Sequence, residues 1–322
     1  MQKENRSQDI SVQNVGPDNL GVLLSLARHA ADEGFSCLPG TVSDIKKRFR
    51  RPNISPDKHV LLANYRGKAI GFIEIIPEGV IKRAILNLWV THGSRHIGAG
   101  RALVNAAARV CQEEELSLLH VFAPEKNNDL HRILGKMCFT ARRRFIGILL
   151  DITNVKETQQ VKDGLSVTPL KKGQEGLLAE IQNAAFAGSW GYNPNTPQTI
   201  EHSLSFRHCS TDDVRIVVNE SGEALAYCWV IIPPSHEQPK GAMFGRVSMM
   251  GVLPAERGKG MARRALEAGI EYLRCKGVSY IELTVDADNM PARRLYQRAG
   301  FVEDHATICF EKTLLCKTST QH

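Results

Sequence analysis

The sequence lacks several features that would assign it to a common class of protein. Its eight cysteines include no C-x-x-C pair, so neither a zinc site nor a disulfide framework is indicated. No apolar run approaches the roughly eighteen residues of a membrane-spanning helix. The polar N-terminus also lacks the apolar core of a signal peptide. These absences predict a cytoplasmic protein with reduced cysteines, no metal and no membrane partner.

Two nucleotide-binding motifs are also missing. No G-x-G-x-x-G with a later acidic residue marks a Rossmann unit, and no G-K-[S/T] marks a phosphate loop. The formal net charge of +7 would suit a polyanionic partner, but no nucleic-acid fold signature accompanies the basic clusters. We therefore expect a solvated basic surface and no nucleic-acid partner.

What the sequence does contain is an internal repeat. Arg95–Gly100 and Arg257–Ala262 both read R-x-x-G-x-[G/A], 162 residues apart, each between an apolar run and an amphipathic pattern. The offset holds without a gap as far as Phe139 and Phe301, whereas upstream an offset of 155 links the two copies. One duplicated unit explains both offsets, with seven residues inserted in the second copy.

The duplication predicts two domains, residues 1–153 and 164–322, joined by a polar linker at 154–163. In each copy the residue pattern predicts the element order β-α-α-β-β-β-α-β-α-β-β. In the second copy the two closing strands begin near Phe301 and Ala306. A mostly antiparallel mixed sheet flanked by helices is expected in each domain. The fold class is therefore α/β or α+β.

The repeated glycine turn has a clear chemical use. Gly258 and Gly260 allow close backbone approach between a strand and a helix. The unpaired amides of the first helical turn and the helix dipole together favour an anion there. Arg257, like Arg95 in the first copy, adds a cation beside that site.

At these residues the chain resembles the GNAT acyl-CoA N-acyltransferase superfamily, and in particular its tandem subgroup that includes mycothiol synthase. The motif continues from Asn289 through Ala292, Leu295 and Tyr296 to Gly300-Phe301. The resemblance implies acetyl-CoA as cosubstrate, with its pyrophosphate on the glycine turn and its pantetheine arm along the preceding strand. The residues to which it assigns these contacts are Met250, Gly251, Val252, Arg257, Gly258, Lys259, Gly260, Met261, Ala262 and Asn289, and in the first copy Val90, Arg95, Gly98 and Gly100.

The resemblance also implies that Tyr296 protonates the departing thiolate, and a tyrosine is protonated at neutral pH. The first copy has Leu134 at this position, so that copy is expected to be non-catalytic. Where the subgroup places a glutamate base, this chain has Arg246, which cannot accept a proton. The base is left open between other residues, namely His236, Glu237 and Glu282.

The acceptor is expected near an aromatic loop that contains Trp190 and Tyr192, with Arg246 able to hold an acidic group. Asp32 and Glu33 are candidate amine partners in the equivalent loop of the first copy. The resulting hypothesis is an N-acetyltransferase that moves an acetyl group to a primary amine of a small molecule or protein. Transfer would be direct, in a ternary complex, in the C-terminal domain. The alternative is a regulatory or scaffold protein that binds acyl-CoA without reacting; the oligomeric state is left open.

Overall fold

The computed structural model describes residues 9–35, 38, 41–153, 164–234 and 243–314. The predicted linker and two candidate bases, His236 and Glu237, lie outside these residues. The chain divides into two compact units. Unit 1 comprises Met1–Arg142 with Ile308–His322, and unit 2 comprises Arg143–Thr307.

In the part of unit 1 that the structure describes, the strands that lie wholly within the unit run in the order β1-β2-β3-β4-β5 across the sheet. All neighbours are antiparallel except β4 and β5, which are parallel. The elements are β1 Ile10–Asn14, α1 Leu20–Asp32, α2 Val42–Arg48, α3 Pro56–His59, β2 Val60–Tyr65, β3 Lys68–Glu78, β4 Arg83–Val90, α4 Ala99–Glu113, β5 Leu118–Pro124 and α5 Asn128–Lys136.

Unit 2 repeats this arrangement, with β7-β8-β9-β10-β11 followed by β6. Only β10 and β11 are parallel among the neighbours whose register is defined. The elements are β6 Thr140–Asp151, β7 Ser166–Pro169, α6 Glu175–Phe186, α7 Pro197–Leu204, β8 Val214–Val218, β9 Ala224–Ile231, β10 Phe244–Val252, α8 Met261–Cys275, β11 Tyr280–Asp286, α9 Met290–Arg298 and β12 Val302–Thr313. The predicted fold class is confirmed.

The prediction of two closing strands is wrong, because one strand, β12, runs from Val302 to Thr313. No glycine or proline interrupts this segment and none of its residues has a positive φ, so nothing turns the chain. Residues 302–307 belong to unit 2, and the chain continues from Ile308 in unit 1. The division at 1–153 and 164–322 stays a prediction about homologous segments, since the compact units are not contiguous in sequence.

Two helices define the two faces of the unit 2 sheet. α8 packs its buried stripe, which includes Ala265, Leu266 and Ile270, against alternate residues of the central strands. α6 packs on the opposite face, where Leu178 and Ile181 join Tyr227 and Trp229 in a second core. We call these the α8 face and the α6 face.

Candidate active site

A gap between β10 and β11 is the central feature of unit 2. The two parallel strands pair only over Phe244–Arg246 and Tyr280–Glu282. Beyond that point β10 continues its pairing with β9 up to Val252, while β11 stays paired with β6 up to Asp286. The inner edges therefore separate and leave the backbone of Met250–Val252 without a β11 partner. An extended ligand with amide groups can pair with such an edge.

The glycine turn closes the wide end of this gap. Arg257 has an extended backbone with ψ 148°, and the next residue, Gly258, has φ +77°. This combination is that of a type II turn, which requires glycine at its second central position. Gly260, at φ +87°, is the N-cap of α8, so Met261 and Ala262 carry amides of the first helical turn. A Cβ at either glycine would meet no atom within 4 Å, so the space above the turn is open.

Two charged side chains of the turn are held by the protein. The Arg257 guanidinium donates to the carbonyl of Ala185, near the C-terminal end of α6, at 2.7 Å. Lys259 pairs with Glu256 at 3.1 Å and is more than half exposed. Arg257 thus ties the turn to α6, a role the sequence pattern did not indicate.

The equivalent turn of unit 1 has a different backbone. Arg95 has ψ −23°, and the following residue, His96, is not among the residues with positive φ. Compared with ψ 148° at Arg257, the peptide that follows is rotated by about half a turn. The amide N–H and the carbonyl oxygen of that peptide have exchanged places. The two turns therefore cannot present the same donors to an anion, although Gly98, at φ +98°, caps α4 as Gly260 caps α8.

Other contacts in unit 1 also occupy the positions predicted to bind ligand. The Arg95 Nε donates to the Val90 carbonyl at 3.1 Å, and the same guanidinium pairs with Glu33. Glu33 also accepts from the Trp89 indole at 3.3 Å, so this candidate amine partner is already engaged. Asp32 ends α1 and is exposed, while Gly100 lies in the first turn of α4.

Tyr296 lies on α9, directly after the β11 end of the gap. Its side chain is 7% exposed and packs edge-to-face on Phe301. Burial raises the pKa of Tyr296 above its ordinary value, and the nearby Cys228 raises it further. The ring also lines a cavity of about 410 Å³ between α9 and strands β6 and β11. In unit 1 the corresponding Leu134 is buried and has no proton to give.

Asn289 begins the helix that carries Tyr296. Its Oδ1 accepts from the amide of Ala292 at 3.2 Å, which caps α9 and fixes the side chain. The other end of the side chain is an NH2 group with two donors. Asn127 caps α5 in the same way through Leu130.

Arg246 lies at the point where β10 and β11 separate. Its Nε and a terminal nitrogen both donate to Oε1 of Glu282, at 2.6 and 2.5 Å. The two side chains are 43% and 32% exposed. Val247 joins the α8 core, and so does Ile281 on the neighbouring strand, so alternation places Arg246 and Glu282 on the α6 face.

The aromatic loop between α6 and α7 lies on the same face. Trp190 packs on Phe145 of β6 with ring centroids 6.1 Å apart, and the Arg143 guanidinium stacks over its ring. Tyr192 has a different role, because its hydroxyl donates to Asn183 of α6 at 2.8 Å and fixes the loop. Trp190 is 39% exposed, so it offers aromatic surface to a ligand.

Sequence reasoning missed three buried polar groups near the gap. The Tyr227 hydroxyl, the Trp229 indole N–H and the Gln182 amide nitrogen have no hydrogen-bond partner among the described residues. A buried polar group without a hydrogen-bond partner costs free energy. Each of these groups therefore marks a place where water or a ligand could form the missing hydrogen bond. A Cβ at Gly251 would lie 2.8 Å from the Tyr227 ring, which places that ring against β10. The sequence carried no signal for them, because they occupy ordinary strand and helix positions.

Metal and membrane signals are both absent within the described ranges. The residues outside the gaps at 36–37, 39–40, 154–163 and 235–242 and the two ends contain no cluster of three metal-ligating side chains. Over those same residues, no helix has the length and apolar character to cross a membrane.

The geometry agrees with what comparison with known proteins shows. The sequence profile of the acetyltransferase (GNAT) family matches residues 26–136 and 178–301, one match in each half of the chain. The chain belongs to the acetyltransferase (GNAT) family. The resemblance noted from the motifs is confirmed, and the chain is an N-acetyltransferase with tandem GNAT domains.

Relatives of similar length align with most of this chain. A mycothiol acetyltransferase of Salinispora tropica is 34% identical over 82% of this chain and 84% of its own length. A mycothiol acetyltransferase of Stackebrandtia nassauensis is 24% identical over 80% and 84%. A tandem GNAT protein from the clavulanic acid biosynthesis pathway has a similar fold, with TM-score 0.72 and 17% identity over 94% of this chain and 98% of its own.

Proposed function

We propose that unit 2 transfers the acetyl group of acetyl-CoA to a primary amine, by direct attack within a ternary complex. The observation that carries the proposal is the β10–β11 gap, which runs from the glycine turn at α8 to the Arg246–Glu282 pair. An anion anchor, an unpaired strand edge and a tyrosine acid would all lie along this gap.

The turn supplies the cosubstrate's anchor. The space beside Gly258 and Gly260 is open, the first amides of α8 have no helical partner, and the helix dipole adds a partial positive charge there. From this anchor, the free edge of Met250–Val252 would pair with the pantetheine amides. The six residues of β10 from Val247 to Val252 span about 20 Å when extended. A pantetheine arm along them would carry the thioester toward the narrow end of the gap. The Asn289 NH2 group would donate to the same arm.

Tyr296 would act as the acid that protonates the departing thiolate. Because burial raises its pKa, the hydroxyl keeps its proton throughout the physiological range. Unit 1, with Leu134 at this place, would keep the fold without catalysing transfer. Catalysis is therefore assigned to unit 2 alone.

Direct transfer is favoured over an acyl-enzyme. Cys228, which acts on the pKa of Tyr296, is fully buried in the α8 core. Burial raises the pKa of the Cys228 thiol to about 12, so almost none of it is the nucleophilic thiolate at neutral pH.

The acceptor would bind on the α6 face, between Trp190 and the Arg246–Glu282 pair. Relatives named mycothiol acetyltransferase support a small-molecule amine, and a protein amine is the other possibility. Arg246 replaces the carboxylate expected at its position, so the acceptor need not be that of those relatives. This replacement also favours the second candidate function, an acyl-CoA-binding regulatory protein without turnover.

A thiol-release assay with acetyl-CoA and a panel of amines, beside calorimetric titration with acetyl-CoA, separates the two functions. Turnover on any amine supports the transferase. Tyr296→Phe should lower kcat by about 10²-fold or more, since general acid catalysis contributes at least that much. Its acetyl-CoA affinity should stay within about twofold, because the proposed pyrophosphate anchor is the turn before α8 and Tyr296 lies on α9. An unchanged kcat would remove Tyr296 from this role.

A further inference from the structure

An imidazole lies on the same face of unit 2 as the Arg246–Glu282 pair. A Cβ built on Gly147 of β6 would lie 2.2 Å from Cε1 and 2.4 Å from Nε2 of His305. The His305 ring therefore rests directly on the β6 backbone, and only a glycine leaves room for it. Ile146 and Ile148 belong to the α8 core, so Gly147 and the ring above it lie on the α6 face.

The position of this ring relative to the gap follows from strand register. Gly147 pairs with Thr284 of β11, and Glu282 pairs with Leu149 two residues along. Neighbouring strands are about 4.8 Å apart, so the imidazole stands roughly one strand spacing from β11, which forms one wall of the gap. An amine held at the β11 edge of the gap would lie within reach of the ring through one water.

The ring is already oriented for proton transfer. Its Nδ1 lies 2.9 Å from a carboxylate oxygen of Asp304, which favours the tautomer that donates from Nδ1 and leaves the Nε2 lone pair free. Both ring nitrogens lie over Gly147, with Nε2 at 2.4 Å and Nδ1 at 2.6 Å from the position that a Cβ would take there. The His305 side chain is 58% exposed, so protons can pass between the ring and solvent.

The other candidates on this face are less suited to accept a proton. The Arg246 guanidinium stays protonated and has no lone pair that could accept a proton. Glu282 is bound by two nitrogens of Arg246 through one oxygen. We propose that Nε2 of His305, positioned by Asp304 and by the glycine beneath it, is the general base of the transfer. The proposal rests on the acetyltransferase function of unit 2.

The proton and electron movements balance. His305 takes one proton from the acceptor's ammonium group, and the freed lone pair forms a C–N bond to the thioester carbon. When the intermediate collapses, the C–S bond breaks, and sulfur leaves with its electron pair and takes the proton of Tyr296. The remaining ammonium proton returns to the Tyr296 oxygen, through water where needed. One proton per turnover therefore leaves to solvent from His305, and the products are an amide and free thiol.

Several charged groups lie on the same face as the His305 ring and influence its charge. They are Asp304 on β12, Glu282 and Asp286 on β11, Arg246 on β10, and Arg143 and Asp151 on β6. Arg143 pairs with Asp286, Arg246 pairs with Glu282, and Asp151 accepts from Thr153, so the group in direct contact with the ring is Asp304.

The test measures kcat and KM for thiol release across about pH 5–9 in the wild-type protein, His305→Gln and Gly147→Ala. The wild type should gain activity with rising pH, because a general base acts only in its unprotonated form. His305→Gln should lower kcat at neutral pH by about 10²–10³-fold and lose that rise, with acetyl-CoA affinity unchanged. Gly147→Ala, whose methyl must displace the ring, should reproduce the defect with the histidine still present. Asp304→Asn should alter the pH profile more than KM for acetyl-CoA.

His208→Gln, at another exposed histidine of unit 2, is the matched control and should behave as the wild type. A wild-type pH profile and a kcat within twofold in His305→Gln would overturn this inference alone. If the wild-type protein releases no thiol with any amine, the proposed transferase function falls, and the assignment of His305 with it.

Discussion

The glycine turn gives the sharpest test of where the cosubstrate binds, through the substitution Gly260→Ala. Gly260 has φ +87°, and a Cβ there would touch nothing within 4 Å. In the unliganded protein the only cost is therefore the left-handed backbone, about 1–2 kcal/mol of stability. Gly222, in the turn between β8 and β9, has φ +80° and equally open surroundings. Gly222→Ala thus imposes the same strain on unit 2 away from the gap.

The two variants should differ in affinity and agree in stability. The methyl of Gly260→Ala projects into the open space where a diphosphate would sit. Loss of one amide hydrogen bond to a charged group costs about 1.5–3 kcal/mol. At about 1.4 kcal/mol per tenfold, the dissociation constant for coenzyme A should rise roughly 10- to 150-fold. Gly222→Ala should leave it unchanged.

Urea denaturation and calorimetric titration with coenzyme A provide the two measurements. Equal losses of stability in the two variants, with weak binding only in Gly260→Ala, would support the anion site. Should Gly260→Ala bind coenzyme A as tightly as Gly222→Ala does, the reasoning from main-chain amides at this turn would be refuted.

Two further predictions concern stoichiometry and packing. Because the unit 1 turn has its peptide reversed at His96, calorimetry should find one coenzyme A per chain; a second site of similar affinity would contradict this. Gly269→Ala should destabilise the protein by about 1–3 kcal/mol, since its Cβ would lie 2.5 Å from the Cys228 sulfur. Its control is Gly135→Ala in α5, where no atom lies within 4 Å and alanine should add roughly 0.5–1 kcal/mol; equal melting temperatures for both variants would contradict the packing argument.

Much of the fold was predictable because its signals are local. The repeated motif marked both domains, and the helical spacing of apolar residues marked α8. Thr196 and Asn289 cap α7 and α9 through their own side chains. The closing strands were harder to predict. Nothing near Ala306 shows whether the chain turns, and β12 continues because its pairing partners lie far away in sequence.

The candidate site divides in the same way. Gly258, Gly260 and Tyr296 could be selected from the sequence, since each lies in a short motif of neighbouring residues. The reversed peptide in unit 1 also had a local cause, because His96 stands where Gly258 does and cannot easily adopt a positive φ. Comparison of the two copies residue by residue would have found it.

The sequence by itself therefore determined the duplication, the glycine turn at the start of α8 and the tyrosine motif that follows, because each depends on neighbours within a few residues. Only the tertiary structure decided that His305 rests on Gly147, more than 150 residues away, and that it shares a sheet face with Arg246 and Glu282. The strand order β12-β6-β11 and the register between β6 and β11 bring these groups together. Register depends on the packing of whole strands, which no single segment of the chain encodes.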